Sequence, residues 1–293
     1  MGNGYTYEYI DSEKTIVISN LLHFNPLHTF DCGQCFRWEK EDDGSFTGVA
    51  FGKVVGVKYS DDKLYISNCN EDDFLNIWKN YLGLDADYDA VKKALSGDEH
   101  ILKAMDFGWG IRILNQESFE CLISFIISTQ NQIPRIKKII KNLCSLYGDR
   151  ISFKDKDYYS FPTAQTLSKL SEKDLAPINA GYRAAYIIDA AKKVASGEVD
   201  FEKICSLPTD EARAQLMKIK GVGPKVADCT MLFSLHKGDA FPVDVWVQRT
   251  VRKLYLGEGA SLKEISSFAT EKFGQFGGIA QQYLFYYARE NGF

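Results

Sequence analysis

Two glycines and a proline within residues 216–245, LMKIKGVGPKVADCTMLFSLHKGDAFPVDV, constrain this chain more than any other feature. Residues 212–219 are apolar at helical spacing, and Gly221 and Gly223 then supply a tight reversal that residues with a Cβ would resist. Pro224 suits the first turn of a helix, where no backbone donor is needed, so a second helix is expected over residues 225–235. The unit is a helical hairpin. It leaves N–H groups around Gly221, Val222 and Gly223 at a helix start, where a DNA phosphate can bind directly or through a bound monovalent cation. An ordinary helical hairpin would carry the same G-x-G, so the loop alone does not decide function.

Lys225 stands at that helix start. Lysine ordinarily ionises near pH ~10.4, so a nucleophilic role needs surroundings that disfavour the ammonium form. The positive end of a helix dipole and closure over a substrate both act in that direction. A solvated lysine contacting phosphate is the alternative. Downstream, Phe241-Pro242-Val243-Asp244-Val245 leads into a further helical pattern over residues 245–254, which puts Asp244 at its N-cap. Capping alone accounts for an aspartate there. Paired with a lysine behind a hairpin, it gains a second reading, as a carboxylate that stabilises an oxocarbenium-like sugar or assists proton transfer.

The rest of the chain divides by periodicity. Residues 15–68 alternate short β-like runs (TIVISN, FTGVAFG, KVVGVKYS, KLYISN) with turn signals, which predicts antiparallel sheet. From Asp72 onward the spacing is helical, over residues 74–81, 101–105, 119–127, 133–147 and 182–195, then the hairpin and two further helices. The predicted class is α+β: an N-terminal sheet lobe with helices over residues 1–114, and a helical domain over 115–293 that contains the hairpin at about 210–236.

Charge follows the same division. The net charge of −4 is awkward for a nucleic-acid partner, but residues 1–100 hold 9 Lys/Arg against 18 Asp/Glu, and residues 101–293 hold 26 against 21. DNA is therefore expected to be gripped by the second half, where Arg135, Lys137, Lys138 and Lys141 cluster. No run of eighteen apolar residues and no basic-then-apolar N-terminus occurs, so an intracellular protein is expected, cytoplasmic if prokaryotic. Seven cysteines without a regular framework fit a reducing compartment. Cys32 and Cys35 form one C-x-x-C with no second pair at zinc spacing, and the C-terminal region lacks a four-cysteine cluster, so neither a catalytic metal nor an iron–sulfur cluster is expected.

GVGPKVADC followed by FPVDV resembles the helix-hairpin-helix (HhH-GPD) DNA glycosylase superfamily. Within it, CGQCFRW at residues 32–38, GYRAAY at 181–186 and IAQQYLF at 279–285 resemble the 8-oxoguanine DNA glycosylase/AP lyases, in similar order from about residue 15 to the C-terminus. The resemblance implies a small lobe like the TATA-binding protein fold on an all-helical domain, with the site between them. It implies a monomer that extrudes 8-oxoguanine, opposite cytosine, from double-stranded DNA and excises it through a Schiff base on Lys225, with Asp244 stabilising the sugar cation and β-elimination following, without a cofactor.

The further assignments come from the same resemblance. Gly33, through its carbonyl, and Cys229, Gln281 and Phe285 fall to the base pocket; Gln281 and Phe285, four apart, share a helix face. Gln130, Arg135, Tyr182 and Arg183 fall to the wedge and the orphan base. Gly221, Val222, Gly223 and Trp246 fall to DNA phosphate. Gln130 stands where the animal enzymes carry asparagine and Trp246 where they carry histidine, which bear on opposite-base preference and on the phosphate grip. Two other readings stay open: a related glycosylase for an alkylated purine or oxidised pyrimidine, separable by the base it releases, and a non-catalytic DNA-binding module, which would release none.

Overall fold

Alternating apolar residues near the N-terminus form one antiparallel sheet in the computed structural model, which describes residues 4–292. Its strands are β1 (Thr6–Ile10), β2 (Thr15–Ser19), β3 (Trp38–Lys40), β4 (Phe46–Ala50), β5 (Lys53–Ser60) and β6 (Lys63–Ser67), in the order β1-β2-β6-β5-β4-β3. The register sets Ile66 between Ile16 and Val57, so one apolar face builds up across strands and is buried with Phe30, Trp38 and Trp78. Phe30 stacks on Trp38 with ring centroids 3.9 Å apart. Gly48, paired with Trp38 across β3 and β4, must be glycine, because a Cβ there would lie 2.2 Å from the indole.

The expected runs become β2, β4, β5 and β6. The edge strand β1 escapes sequence reading because its residues are exposed or half-buried and show no apolar face. A second sheet, β7 (Arg150–Phe153) paired with β8 (Lys156–Tyr159), escapes it for another reason. Its two-residue turn has both Lys154 and Asp155 in the left-handed region, at φ 48° and 58°, without the Asn-Gly that usually announces such a turn.

Eight longer helices frame the second half: α1 (Ser118–Ser128), α2 (Ile133–Tyr147), α3 (Arg183–Ala195), α4 (Thr209–Leu216), α5 (Pro224–Ser234), α6 (Val245–Val251), α7 (Leu262–Phe273) and α8 (Gly277–Asn291). α1 is buried from Phe119 to Ile127 and lies at the centre, against α5, α2 and α3. The pattern read through residue 254 breaks earlier: α6 ends at Val251 and passes into a π-helical turn, Arg252–Leu256.

Chain order and packing do not coincide. The helices Tyr88–Leu95 and Glu99–Phe107 precede Asn115, yet Tyr88, Leu95, Ile101 and Met105 share a core with Val247, Phe273 and Tyr283 of the last three helices. The sheet is also tied to α1 by a buried ion pair, Arg37 to Glu120 at 2.8 Å. Burial raises the Glu120 carboxyl pKa while Arg37 opposes that shift, so the pair fixes a seam more than it stabilises the fold. No helix among the described residues is long and apolar enough to cross a membrane.

Candidate active site

The hairpin between α4 and α5 needs its first glycine twice over. Gly221 sits at φ +79°, and a Cβ there would lie 2.2 Å from the Tyr186 ring. Around it the Val222 N–H bonds to the Ile219 carbonyl at 3.1 Å and the Lys220 N–H to Asp189 Oδ2 at 2.7 Å. Gly223 is the N-cap of α5 and offers no side chain, so the first turn keeps donors unsatisfied from within.

Lys225 projects from that first turn across to the end of α1. Its Nζ donates to Ser128 Oγ at 3.1 Å and lies 4.8 Å from the centroid of the Phe125 ring. Ser128 in turn donates its hydroxyl hydrogen to the Phe125 carbonyl at 2.8 Å, which leaves its lone pairs for the amine. Asp244 is the N-cap of α6, with Oδ1 accepting from the Val247 N–H at 2.8 Å. Burial raises the pKa of its carboxyl, and the cap bonds and the Lys225 charge only partly offset this.

Both groups face one cavity, which Gly33, Phe125, Cys229, Phe233, Pro242, Gln281, Gln282 and Phe285 also line. These residues come from both ends of the chain. Burial pushes the Cys229 thiol up to about 12, so it remains neutral beside the amine. Gln281 is 4% exposed, and its Oε1 has no hydrogen-bond partner among the described residues. An amide oxygen left so costs about 1–3 kcal/mol, a cost that a donor entering the cavity would relieve. The cavity itself is about 40 Å³, far below the ~300 Å³ of a preformed small-molecule pocket. Phe285 accounts for this: its Cε1 would lie 3.0 Å from a Cβ on Gly33, so ring and loop are in contact.

The rim is built differently. Tyr182 is 51% exposed, and Gln130, on the loop before α2, and Arg135, in the first turn of α2, are exposed as well. Gln130 holds φ +47°. Arg183, by contrast, is 4% exposed, and its guanidinium donates to the carbonyls of Thr129, Gln130 and Ala180. It lies behind the Gln130 turn and braces it. Trp246 is half-buried on α6, 6.0 Å from the Arg249 guanidinium. Cys32 and Cys35 are buried thiols, and no cluster of three or more His, Cys, Asp or Glu side chains suited to a metal occurs among the described residues.

Ser128 and Phe125, which hold the amine, are absent from the sequence reading. α1 is buried on all sides, so nothing in its pattern singles out one face. Gln282 escaped as well, although it adjoins Gln281.

Residues 16–122 match the family of the 8-oxoguanine DNA glycosylase N-terminal domain, and residues 123–275 match the HhH-GPD superfamily of base excision DNA repair proteins. An N-glycosylase/DNA lyase of Arabidopsis thaliana is 30% identical over 290 residues, covering 88% of this chain and 75% of its own. A probable N-glycosylase/DNA lyase of Methanothermobacter thermautotrophicus is 31% identical over 215 residues, 67% of this chain and 69% of its own. Among solved structures, the 8-oxoguanine glycosylase/lyase of Clostridium acetobutylicum, in complex with double-stranded DNA containing cytosine opposite 8-oxoguanine, superposes with a TM-score of 0.95 at 46% identity, covering 98% of this chain and 99% of that one.

Proposed function

From the premise that this chain belongs to the HhH-GPD superfamily of base excision DNA repair proteins, and within it to the N-glycosylase/DNA lyases, we propose that it excises 8-oxoguanine from duplex DNA and then cleaves the abasic site. The target base must leave the stack to be reached. Tyr182, exposed at the start of α3, fills the gap it leaves, while Gln130 and Arg135 face the orphan base, with cytosine the preferred partner. The hairpin backbone around Gly221, Val222 and Gly223, with Trp246, holds the flanking phosphates, directly or through a monovalent cation.

In the cavity, Gln281 Oε1 accepts from the Watson–Crick edge of the base, and the Gly33 carbonyl accepts from N7–H, which guanine lacks. Phe285, swung aside, stacks on one face of the base with Cys229 on the other. The Lys225 lone pair then forms a bond to C1′ as the glycosidic bond breaks and 8-oxoguanine departs with its electron pair. Asp244 stabilises the positive charge that develops on the sugar. Ring opening gives a Schiff base on Lys225, and loss of the 2′ proton expels the 3′ phosphate by β-elimination. Amine and carboxylate supply this chemistry without a cofactor.

One observation carries the reading: Lys225 and Asp244 open into the same small cavity as a buried amide oxygen that lacks a donor. Borohydride trapping tests it. The wild type should form a covalent adduct with 8-oxoguanine DNA, and Lys225→Gln should form none while still binding the duplex. An adduct that survives the substitution moves the nucleophile elsewhere.

A further inference from the structure

We propose that Gln282 is a positioning residue for base discrimination: through the Cys32 carbonyl it fixes the direction in which the Gly33 carbonyl points. The proposal rests on the reading above, in which that carbonyl tests the base for a hydrogen at N7.

Gly33 is at φ +84°, a conformation with little steric preference of its own, so its carbonyl is only as well aimed as the two peptide planes that flank it. Both neighbours are held. On one side the Gln282 Nε2, 2% exposed, donates to the Cys32 carbonyl at 2.7 Å, which orients the Cys32–Gly33 peptide. On the other Gln34 is held at both ends, its side-chain Nε2 donating to the Cys32 sulfur at 3.3 Å and its carbonyl accepting from Gln116 Nε2 at 2.8 Å. The Gly33 carbonyl itself accepts no hydrogen bond from the described residues.

Gln34 is itself immobilised. Its side chain donates to the Thr29 and Arg112 carbonyls, each at 2.8 Å, and accepts from the Leu114 N–H at 2.9 Å. The grip of α8 is also not a single bond. Gln282, Phe285 and Arg289 are spaced to share one helix face, and all three meet this loop: Arg289 Nη2 donates to the Asp31 carbonyl at 2.6 Å, and Phe285 abuts Gly33. Gln281, one residue earlier and turned about 100° around the helix, lines the same cavity with an unpaired oxygen, whereas the Gln282 amide nitrogen is committed to the Cys32 carbonyl. The same helix therefore carries a base-reading amide and, beside it, an amide that aims the second reader. A loop free to rotate could present a different group to the base and accept guanine as readily.

The test uses the full chain and two duplexes, one with 8-oxoguanine opposite cytosine and one with a preformed abasic site. The excision rate on the first is divided by the borohydride-trapping rate on the second, which needs Lys225 but no base. Gln282→Leu should lower this ratio by about ten- to a hundredfold, the range for loss of one buried hydrogen bond. Gln282→Glu should lower it further at pH 8 than at pH 6, because only the protonated carboxyl can donate to the Cys32 carbonyl. That pH profile is internal to one folded variant and stands even if the leucine variant is unstable.

An unchanged ratio in both variants overturns the proposal. So does a parallel fall of both rates with melting temperature, the mark of a purely structural amide. If the wild type traps abasic DNA but releases no 8-oxoguanine, the substrate reading fails and this inference falls with it. Wild-type excision with an unaffected ratio defeats the inference alone.

Discussion

The cavity and its rim differ in how their side chains are held. In the cavity the amine and the carboxylate have assigned partners, Lys225 on Ser128 and Asp244 on the Val247 N–H, and the Gly33 loop is held by Gln282, Gln34 and Arg289. On the rim, Tyr182, Gln130 and Arg135 are exposed, and Arg183, a well-held cation, is buried behind them. Fixed geometry serves chemistry, where the barrier depends on small displacements. An exposed, adjustable rim serves docking, where many small contacts add and salt screens them. Substitutions in the cavity should therefore cost rate, and substitutions on the rim should cost affinity.

Beyond the loss of the adduct in Lys225→Gln, the largest effect is expected at Asp244. An unfolded aspartate ionises near pH ~3.9, and burial raises the folded value above that. The stability contributed by this carboxyl is thus fully present below pH ~4 and is lost as pH rises through its folded value. Asparagine keeps the cap bond and removes the buried charge. Asp244→Asn should lower excision by about 10²–10³-fold while raising the melting temperature at pH 7, with the gain vanishing near pH 3. Thermal melts at the two pH values and single-turnover rates check both halves; a loss of stability at pH 7 would mean that the carboxylate is held there for the fold.

Gln281→Met, similar in size, should reduce 8-oxoguanine excision by about ten- to a hundredfold. It should leave the melting temperature level or higher, because the oxygen it removes is unpaired. Calorimetry and excision kinetics on the one variant separate the two outcomes.

Two arginines sharpen the contrast at the rim. Arg183→Ala strips donors from three carbonyls and should destabilise the fold by about 1–3 kcal/mol in urea titrations. Arg135→Ala should leave stability alone, weaken duplex binding a few-fold, and reduce the salt dependence of log K by about one. Equal effects of the two on DNA binding, with no stability difference, would dissolve the distinction between brace and contact.

Part of the site is legible in the sequence because some residues have a local reason to be what they are, whereas the pocket roles of Gly33, Cys229, Gln281 and Phe285 come from the family resemblance. Gly221 occupies a left-handed position against Tyr186, Asp244 caps a helix, and Gln281 and Phe285 lie one turn apart. Residues that act through long-range contacts are not legible. Ser128 and Phe125 sit on a helix buried all round, and Gln282 reaches a carbonyl 250 positions away. Arg183 shows the converse limit: its neighbour Tyr182 is exposed, yet the first turn of α3 carries the arginine inward. The strands followed the same rule, with β2, β4, β5 and β6 readable from alternation, and β1 and the β7–β8 hairpin hidden by a polar edge and an unusual turn.

The account depends most directly on which amine meets the sugar. Peptide mapping of the borohydride-reduced adduct by mass spectrometry answers this in one experiment. The account predicts the deoxyribose remnant on Lys225 alone; a remnant on any other lysine, or on the N-terminal amine, would contradict it.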